Sequence, residues 1–266
     1  MRVPPALAPL TDRPAHAAVL LDFDGSLSAI VDDPAAVQLL PEARTALELL
    51  VARIELVAVV SGRPVDVLAR VVDVDGIDFV GQYGLESRVD GDTVIDERVR
   101  AFTGAIAAAA ADAERVLPGL TIERKGEVAV TVHWRTAPER GDEAEAMVDE
   151  IGRRHGLAVY PTRMARELRP PLPVDKGTGV EALLVDPPGR RIEVACYAGD
   201  DHADLAAFAA LDRLVATNTL RSAARIAVRS DECPPELVAR ADLVVDGPAG
   251  LADALTQLAG AVSAPR

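Results

Sequence analysis

Apolar residues fall along the chain in two kinds of block, short unbroken runs and stretches with one apolar position every three or four. Ala17 to Phe23 (AAVLLDF) is a run of the first kind with an acid near its end, and it predicts a strand buried on both faces of a parallel sheet. Pro41 then stands at a first helical position, and Ala43, Leu47, Leu50 and Val51 form an amphipathic stripe that stops near Arg53. Ile54 to Val60 (IELVAVV) predicts a second buried strand, and Pro64 opens the next helix, completing a βαβ unit. Leu85 to Val89 and Thr93 to Ile95 flank Asp90-Gly91-Asp92, the turn signal of a hairpin.

From about Arg100 the pattern changes to a long Ala-rich helix, strands around Thr121 and Val128 to Trp134, and an acidic helix from Pro138 to His155. Strands around Val159 and Leu168 close the stretch. Arg169-Pro170-Pro171-Leu172-Pro173 then excludes helix and central strand. Beyond it the alternation returns, with a helix from Lys176, a strand Ile192 to Ala198, a helix from Asp201, strands Leu214 to Ala216 and Leu243 to Val245, and a closing helix. The expected fold is therefore an α/β core with a parallel, Rossmann-like sheet, residues 1–99 and 172–266, carrying an inserted α+β domain, residues 100–171.

Charge narrows the possible ligands. The 266 residues carry a net charge of −14, which disfavours nucleic acid as a partner, because phosphate backbones are held by clustered cations. The three segments 1–100, 101–175 and 176–266 carry net charges of −8, −2 and −4. The inserted part is nearly neutral, and its Arg153, Arg154, Arg163, Arg166 and Arg169 mark it as the expected place to meet an anion. Only 3% of residues are aromatic, so the core is aliphatic. Cys196 and Cys233 are too few for a disulfide framework, and no 18-residue uncharged apolar run or export signal follows the Pro-rich start. A soluble, cytoplasmic, monomeric protein acting on a small molecule, away from membranes, is expected.

In an open parallel sheet, ligands bind beyond the carboxyl ends of the strands. Three loops fall there: Asp22-Phe23-Asp24-Gly25-Ser26, Ser61-Gly62-Arg63, and Gly199-Asp200-Asp201 with Asp204. The two acidic loops each read equally well as a turn or a helix start, and Ser61-Gly62-Arg63 alone is a weaker signal still. Together they gather carboxylates at one sheet edge, and hard oxygen ligands repelling one another suit Mg²⁺. Of 28 basic residues only Lys125 and Lys176 are lysines, in a chain that uses arginine elsewhere, which points to places needing a compact ammonium.

Asp22-x-Asp24-Gly25-Ser26, Ser61, Lys176 and Gly199-Asp200-Asp201 match, in order, the four motifs of the haloacid dehalogenase superfamily. Gly81-Gln82-Tyr83-Gly84-Leu85-Glu86, Lys125 with His133-Trp134-Arg135, Glu167-Leu168-Arg169-Pro170, Asp175-Lys176-Gly177 and Gly199-Asp200-Asp201…Asp204…Phe208 resemble the trehalose-6-phosphate phosphatases of that superfamily, over roughly Ala17 to Leu258. This chain departs from the family's usual residues at Ser26 (Thr), Gln82-Tyr83 (Asn-His) and Ala203-Asp204-Leu205 (Thr-Asp-Glu).

The resemblance implies a haloacid dehalogenase core with a specificity cap. It makes Asp22 the nucleophile, Asp24 the general acid and base, and Ser61 and Lys176 the phosphate ligands beside Gly25 and Arg63. Mg²⁺ would be held by Asp22, the Asp24 carbonyl and Asp200, with Ser26, Asp201 and Asp204 as accessory groups. In the cap, Lys125, His133, Arg135, Glu167 and Arg169 are the implied sugar-reading residues. Strand alternation puts the odd-numbered Lys125, His133 and Arg135 on one face if no bulge intervenes, and Trp134 on the other. Cap closure is expected to exclude water and admit only correctly shaped sugars.

Three alternatives stand beside this. A different sugar phosphate, including a trehalose-like pseudo-disaccharide, is compatible with Gln82-Tyr83. A phosphoacceptor protein would also gather acids at strand ends, but length and the insertion argue against it. A silent binding relative is disfavoured by the intact motif set.

Overall fold

A computed structural model describes residues 3–31, 36–89, 91–162, 164–185, 189–231 and 233–262. Two compact units emerge, Met1–Thr93 with Val174–Arg266, and Val94–Pro173. In chain order the first segment forms α1 (Ala8–Asp12), β1 (Ala17–Leu21), α2 (Pro41–Val51), β2 (Leu56–Val60), α3 (Val65–Val72), β3 (Asp78–Gly81), β4 (Glu86–Val89) and β5 (Asp92–Ile95). The insertion follows with α4 (Thr103–Val116), β6 (Thr121–Lys125), β7 (Ala129–His133), α5 (Gly141–His155), β8 (Ala158–Thr162) and β9 (Ala165–Arg169). The last segment holds α6 (Lys176–Leu184), β10 (Val194–Gly199), α7 (Asp204–Ala216), β11 (Ser222–Arg229), α8 (Pro235–Arg240), β12 (Leu243–Asp246) and α9 (Gly247–Ala261).

The larger sheet runs β12-β11-β10-β1-β2-β3-β4-β5. It is parallel from β12 through β3 and turns antiparallel at β4. Strand β1 shows why its sequence is unbroken: Ala17, Val19 and Leu21 enter the core beneath α2, α3 and α9, while Ala18 and Leu20 enter the one beneath α6 and α7. Both faces are covered, so every position is apolar, and each fully buried Leu or Val contributes roughly 1.5–3 kcal/mol. The consequence for chemistry is positional. Because β1 lies between β2 and β10, the loops carrying Ser61 and Asp200 open on either side of the loop carrying Asp22.

The inserted unit has its own four-stranded antiparallel sheet, ordered β6-β7-β9-β8, backed by α4 and α5. Trp134 is buried in that core, on the side opposite the odd-numbered positions of β7.

Several expectations need correction. Leu214 to Ala216 is the end of α7, and the strand lies further on at Ser222–Arg229. Its Arg225 and Arg229 disguise it, since they pair with Asp242 and Asp246 at the sheet edge. Helix α7 begins at Asp204, because the Asp201 carboxylate accepts the Ala203 N–H and makes the preceding residues a turn. Strand β3 was not anticipated in a four-residue stretch that opens on an acid. Asp90, expected in a hairpin turn, and Arg163 lie outside the described residues.

Candidate active site

The loop after β1 is knotted by one carbonyl: Phe23 O accepts the backbone N–H groups of Ser26, Leu27 and Ser28. Gly25 sits in this turn at φ +80, and a methyl group there would overlap the Asp200 carboxylate, so only glycine lets the two loops meet. Ser26, buried, donates its hydroxyl to Asp200 Oδ1 at 3.2 Å. Ser61 is buried at the end of β2, and its hydroxyl oxygen accepts the Arg63 N–H at 3.3 Å.

Lys176 is the first residue of α6, whose start is fixed by a reciprocal cap between Asp175 and Thr178. Its side chain is buried, and Nζ donates to Asp22 Oδ1 and to Asp204 Oδ1, both at 2.7 Å, with Asp201 Oδ1 at 3.7 Å. Burial alone would lower the Lys176 pKa, but Asp201, Asp204 and Asp22 outweigh it and hold the ammonium well above its ordinary range. Burial pushes Asp22 and Asp204 up despite Lys176, whereas Asp201 is drawn down by Lys176 and by hydrogen bonds. Asp200 is pushed up to about 7, first by burial and then by repulsion from Asp204.

Four carboxylates thus surround one ammonium, an excess of negative charge that a divalent cation would offset. Oxygen atoms of Asp22, Asp200 and Asp204 lie within 4.8 Å of one another. Asp204 is already saturated: Oδ1 accepts Lys176 and Tyr197, and Oδ2 accepts the N–H groups of Asp200 and Asp201 at 2.9 Å. Asp22 and Asp200 retain acceptor capacity, so these two carboxylates fit a hard cation such as Mg²⁺, with Asp204 as their strut.

Arg63 is engaged with a protein partner, donating from Nε and Nη2 to the two Asp24 oxygens at 2.7 and 2.8 Å. That bidentate pair orients Asp24.

In the inserted unit the ladder sets Glu123 opposite Thr131 and Thr131 opposite Glu167, so Lys125, Thr131, Glu167 and Arg169 share one face. Lys125 Nζ donates to Glu167 Oε2 at 2.6 Å, and Thr131 Oγ1 donates to the same atom at 3.2 Å. Arg169 Nη1 lies 3.8 Å from Glu167 Oε1, and its guanidinium stacks 3.6 Å from the Tyr160 ring. Glu167 is 1% exposed, and its Oε1 has no hydrogen-bond partner among the described residues. His133 is at the far end of this face, paired with Glu123 at 2.8 Å. Arg135 lies beyond the end of β7, so strand parity does not place it. The expected anion site shrinks likewise: Arg153 pairs with Glu150, Arg154 with Asp112, and Arg166 with Glu145, leaving Arg169 at the Glu167 cluster.

Sequence reasoning passed over Tyr197, Thr131 and Tyr160. A lone phenol in a strand of small residues was the available signal for Tyr197, since a buried hydroxyl needs a partner.

Residues 20–236 match the family model described as trehalose-phosphatase. The chain belongs to the trehalose-phosphatase family. Among its relatives, the trehalose-phosphate phosphatase of Mycobacterium avium (strain 104) is 37% identical over 203 residues, covering 74% of this chain and 51% of that protein. The trehalose-phosphate phosphatase of Mycobacterium tuberculosis (strain ATCC 25618 / H37Rv) is 38% identical over 198 residues, covering 72% and 50%. The chain spans about half the length of the curated relatives it matches. The C-terminal domain of C. albicans trehalose-6-phosphate phosphatase has the same fold, with a TM-score of 0.75 at 22% identity over 97% of this chain and 98% of that one. Other structural neighbours of this trehalose-phosphatase family member include a haloacid dehalogenase-like hydrolase from Bacteroides thetaiotaomicron, with a TM-score of 0.61 at 14% identity, covering 91% of this chain and 99% of that one. Among the described residues no helix is long and apolar enough to cross a membrane.

Proposed function

We propose that this chain is a cytoplasmic, Mg²⁺-dependent phosphoric monoester hydrolase that converts trehalose 6-phosphate to trehalose and phosphate through a phosphorylated Asp22. The observation that carries it is the Lys176 ammonium bridging Asp22 and Asp204 beside Asp200. With Oδ1 of Asp22 tied to Lys176, its other oxygen attacks phosphorus in line as the bond to the sugar oxygen breaks. Asp24 takes up a proton from solvent as it leaves Arg63 and gives it to the departing oxygen. It then takes a proton from the water that attacks the phosphoryl group, freeing phosphate and restoring Asp22. Lys176, Ser61 and the Gly25 loop hold the phosphoryl oxygens, and Asp201 helps fix the ammonium. Bound to Asp22, Asp200 and the Asp24 carbonyl, Mg²⁺ would supply charge neutralisation at the phosphoryl oxygens.

Sugar recognition is assigned to Lys125, Glu167 and Arg169, with His133 and Arg135 as further candidates. The open Oε1 of Glu167 supports this, because a buried carboxylate oxygen without a donor is costly until a hydroxyl meets it. Lys125→Ala and Glu167→Gln are expected to lose about tenfold or more on trehalose 6-phosphate beyond any loss on p-nitrophenyl phosphate. Equal losses on both esters would remove the recognition role. The activity itself is tested by Mg²⁺-dependent phosphate release from trehalose 6-phosphate, glucose 6-phosphate and other sugar phosphates. A strong preference for the first is expected, and equal rates on all would defeat the disaccharide assignment.

A second reading, another sugar phosphate or a pseudo-disaccharide phosphate, is favoured by one observation. Gln82 and Tyr83 both hold positive φ, 51 and 59, and the Tyr83 phenol lies against Gly62, beside Ser61.

The metal assignment has a thermal signature. Between an ordinary carboxyl pKa and about 7, folded Asp200 keeps a proton that the unfolded chain has released, so raising the pH through this window favours unfolding. In EDTA the melting temperature is expected to fall from pH 5 to pH 8 more steeply than in Asp200→Asn. Added Mg²⁺ should raise it most at pH 8, where the carboxylates are ionised. Parallel curves for the two proteins in EDTA would contradict the raised Asp200 pKa.

A further inference from the structure

Tyr197 carries a hydroxyl that the proposed mechanism leaves unused. It is the fourth residue of β10, fully buried among valine, alanine, cysteine and glycine neighbours in sequence. The phenol O–H donates to Asp204 Oδ1 at 2.6 Å, and the ring meets Phe208 edge-on at 6.3 Å between centroids. The same Oδ1 accepts Lys176 Nζ, which also donates to Asp22 Oδ1. A continuous line therefore runs from Tyr197 through Asp204 and Lys176 to Asp22. The other Asp204 oxygen is pinned by two backbone N–H groups, and at Gly199 a methyl group would overlap this carboxylate, so Asp204 is fixed in place.

We infer that Tyr197 is a positioning residue: by sharing Asp204 Oδ1 with the ammonium, its hydroxyl limits the pull of Asp204 and keeps Lys176 directed toward Asp22 and the phosphoryl group. This role rests on the phosphatase function proposed above and extends its machinery from the strand-end loops into the body of β10. A buried carboxylate oxygen that loses one of two donors has no water to replace it and draws the remaining donor closer. The ammonium then moves toward Asp204, and every phosphate ester suffers alike, since the displaced group touches the phosphoryl end and not the sugar.

The test uses the full chain with Mg²⁺, measuring inorganic phosphate binding by calorimetry and turnover of both trehalose 6-phosphate and p-nitrophenyl phosphate. Tyr197→Phe keeps the ring and its contact with Phe208 while removing the hydroxyl. It is expected to bind phosphate about tenfold more weakly and to lose about tenfold in kcat/KM on both esters equally. Phe208→Leu is the packing control, expected to lower the melting temperature while retaining wild-type phosphate affinity. Wild-type binding and turnover in Tyr197→Phe would overturn the positioning role. So would an equal loss of phosphate affinity in Phe208→Leu, because packing alone would then account for it. A wild-type chain that hydrolyses neither ester would instead overturn the phosphatase function itself.

Discussion

Asp22→Asn is expected to abolish phosphate release while leaving the protein at least as stable as wild type. The loss should be on the order of 10⁴-fold or more, because a group that acts as one part of a catalytic unit cannot be compensated by the rest. Stability should hold for a separate reason. Asp22 is buried and its ionised form is penalised by desolvation before the attraction of Lys176 is counted, with Asp200 and Asp201 repelling it further. A neutral amide of the same shape removes that repulsion, and Lys176 keeps Asp204 as its partner at 2.7 Å. Phosphate release and a thermal melt in EDTA measure the two halves together. Retained turnover would remove Asp22 as nucleophile, and a large fall in melting temperature would show that its charge is structural.

Lys176→Met is expected to be equally inactive but to differ in the melt. Its ammonium lies between Asp22 and Asp204, and removing it leaves buried carboxylates facing one another without a counter-charge. Breaking a buried pair by deleting one partner costs about 3–5 kcal/mol, and methionine fills the space without restoring the charge. The melting temperature in EDTA should therefore fall sharply, recovering in part at low pH as Asp22, Asp200 and Asp204 take up protons. Wild-type stability in this variant would mean that proton uptake by Asp22, Asp200 and Asp204 fully replaces the ammonium. Together, two inactive variants with opposite thermal behaviour separate loss of chemistry from loss of fold.

What was legible in the sequence follows from burial. Strands β1, β2 and β10 are covered on both faces, so their apolar runs stand out, and the acids Asp22 and Asp200 mark the ends of β1 and β10. Strand β11 was misplaced because its arginines are neutralised by acids from distant positions, a fact of tertiary structure that local patterning does not carry. The lysine bias singled out Lys125 and Lys176, and both prove to be tied to buried carboxylates. The arginine count misled for the opposite reason: Arg153 and Arg154 are answered by acids on their own helix or its neighbour. Arg63, expected at the phosphate, holds Asp24, and no spacing rule distinguishes those two uses of a guanidinium.

Strand β1 pairs on one side with β2, a near neighbour in sequence, and on the other with β10, Ala17 lying opposite Val194. During synthesis the ribosome delivers the nucleophile's strand early and its second neighbour only after the whole insertion has emerged. Until then the growing chain presents an apolar, unpaired edge to the cell, the form most open to aggregation and chaperone capture. Codon choice within the insertion, which sets how long that edge waits for β10, is therefore expected to govern the yield of folded protein without altering the catalytic groups.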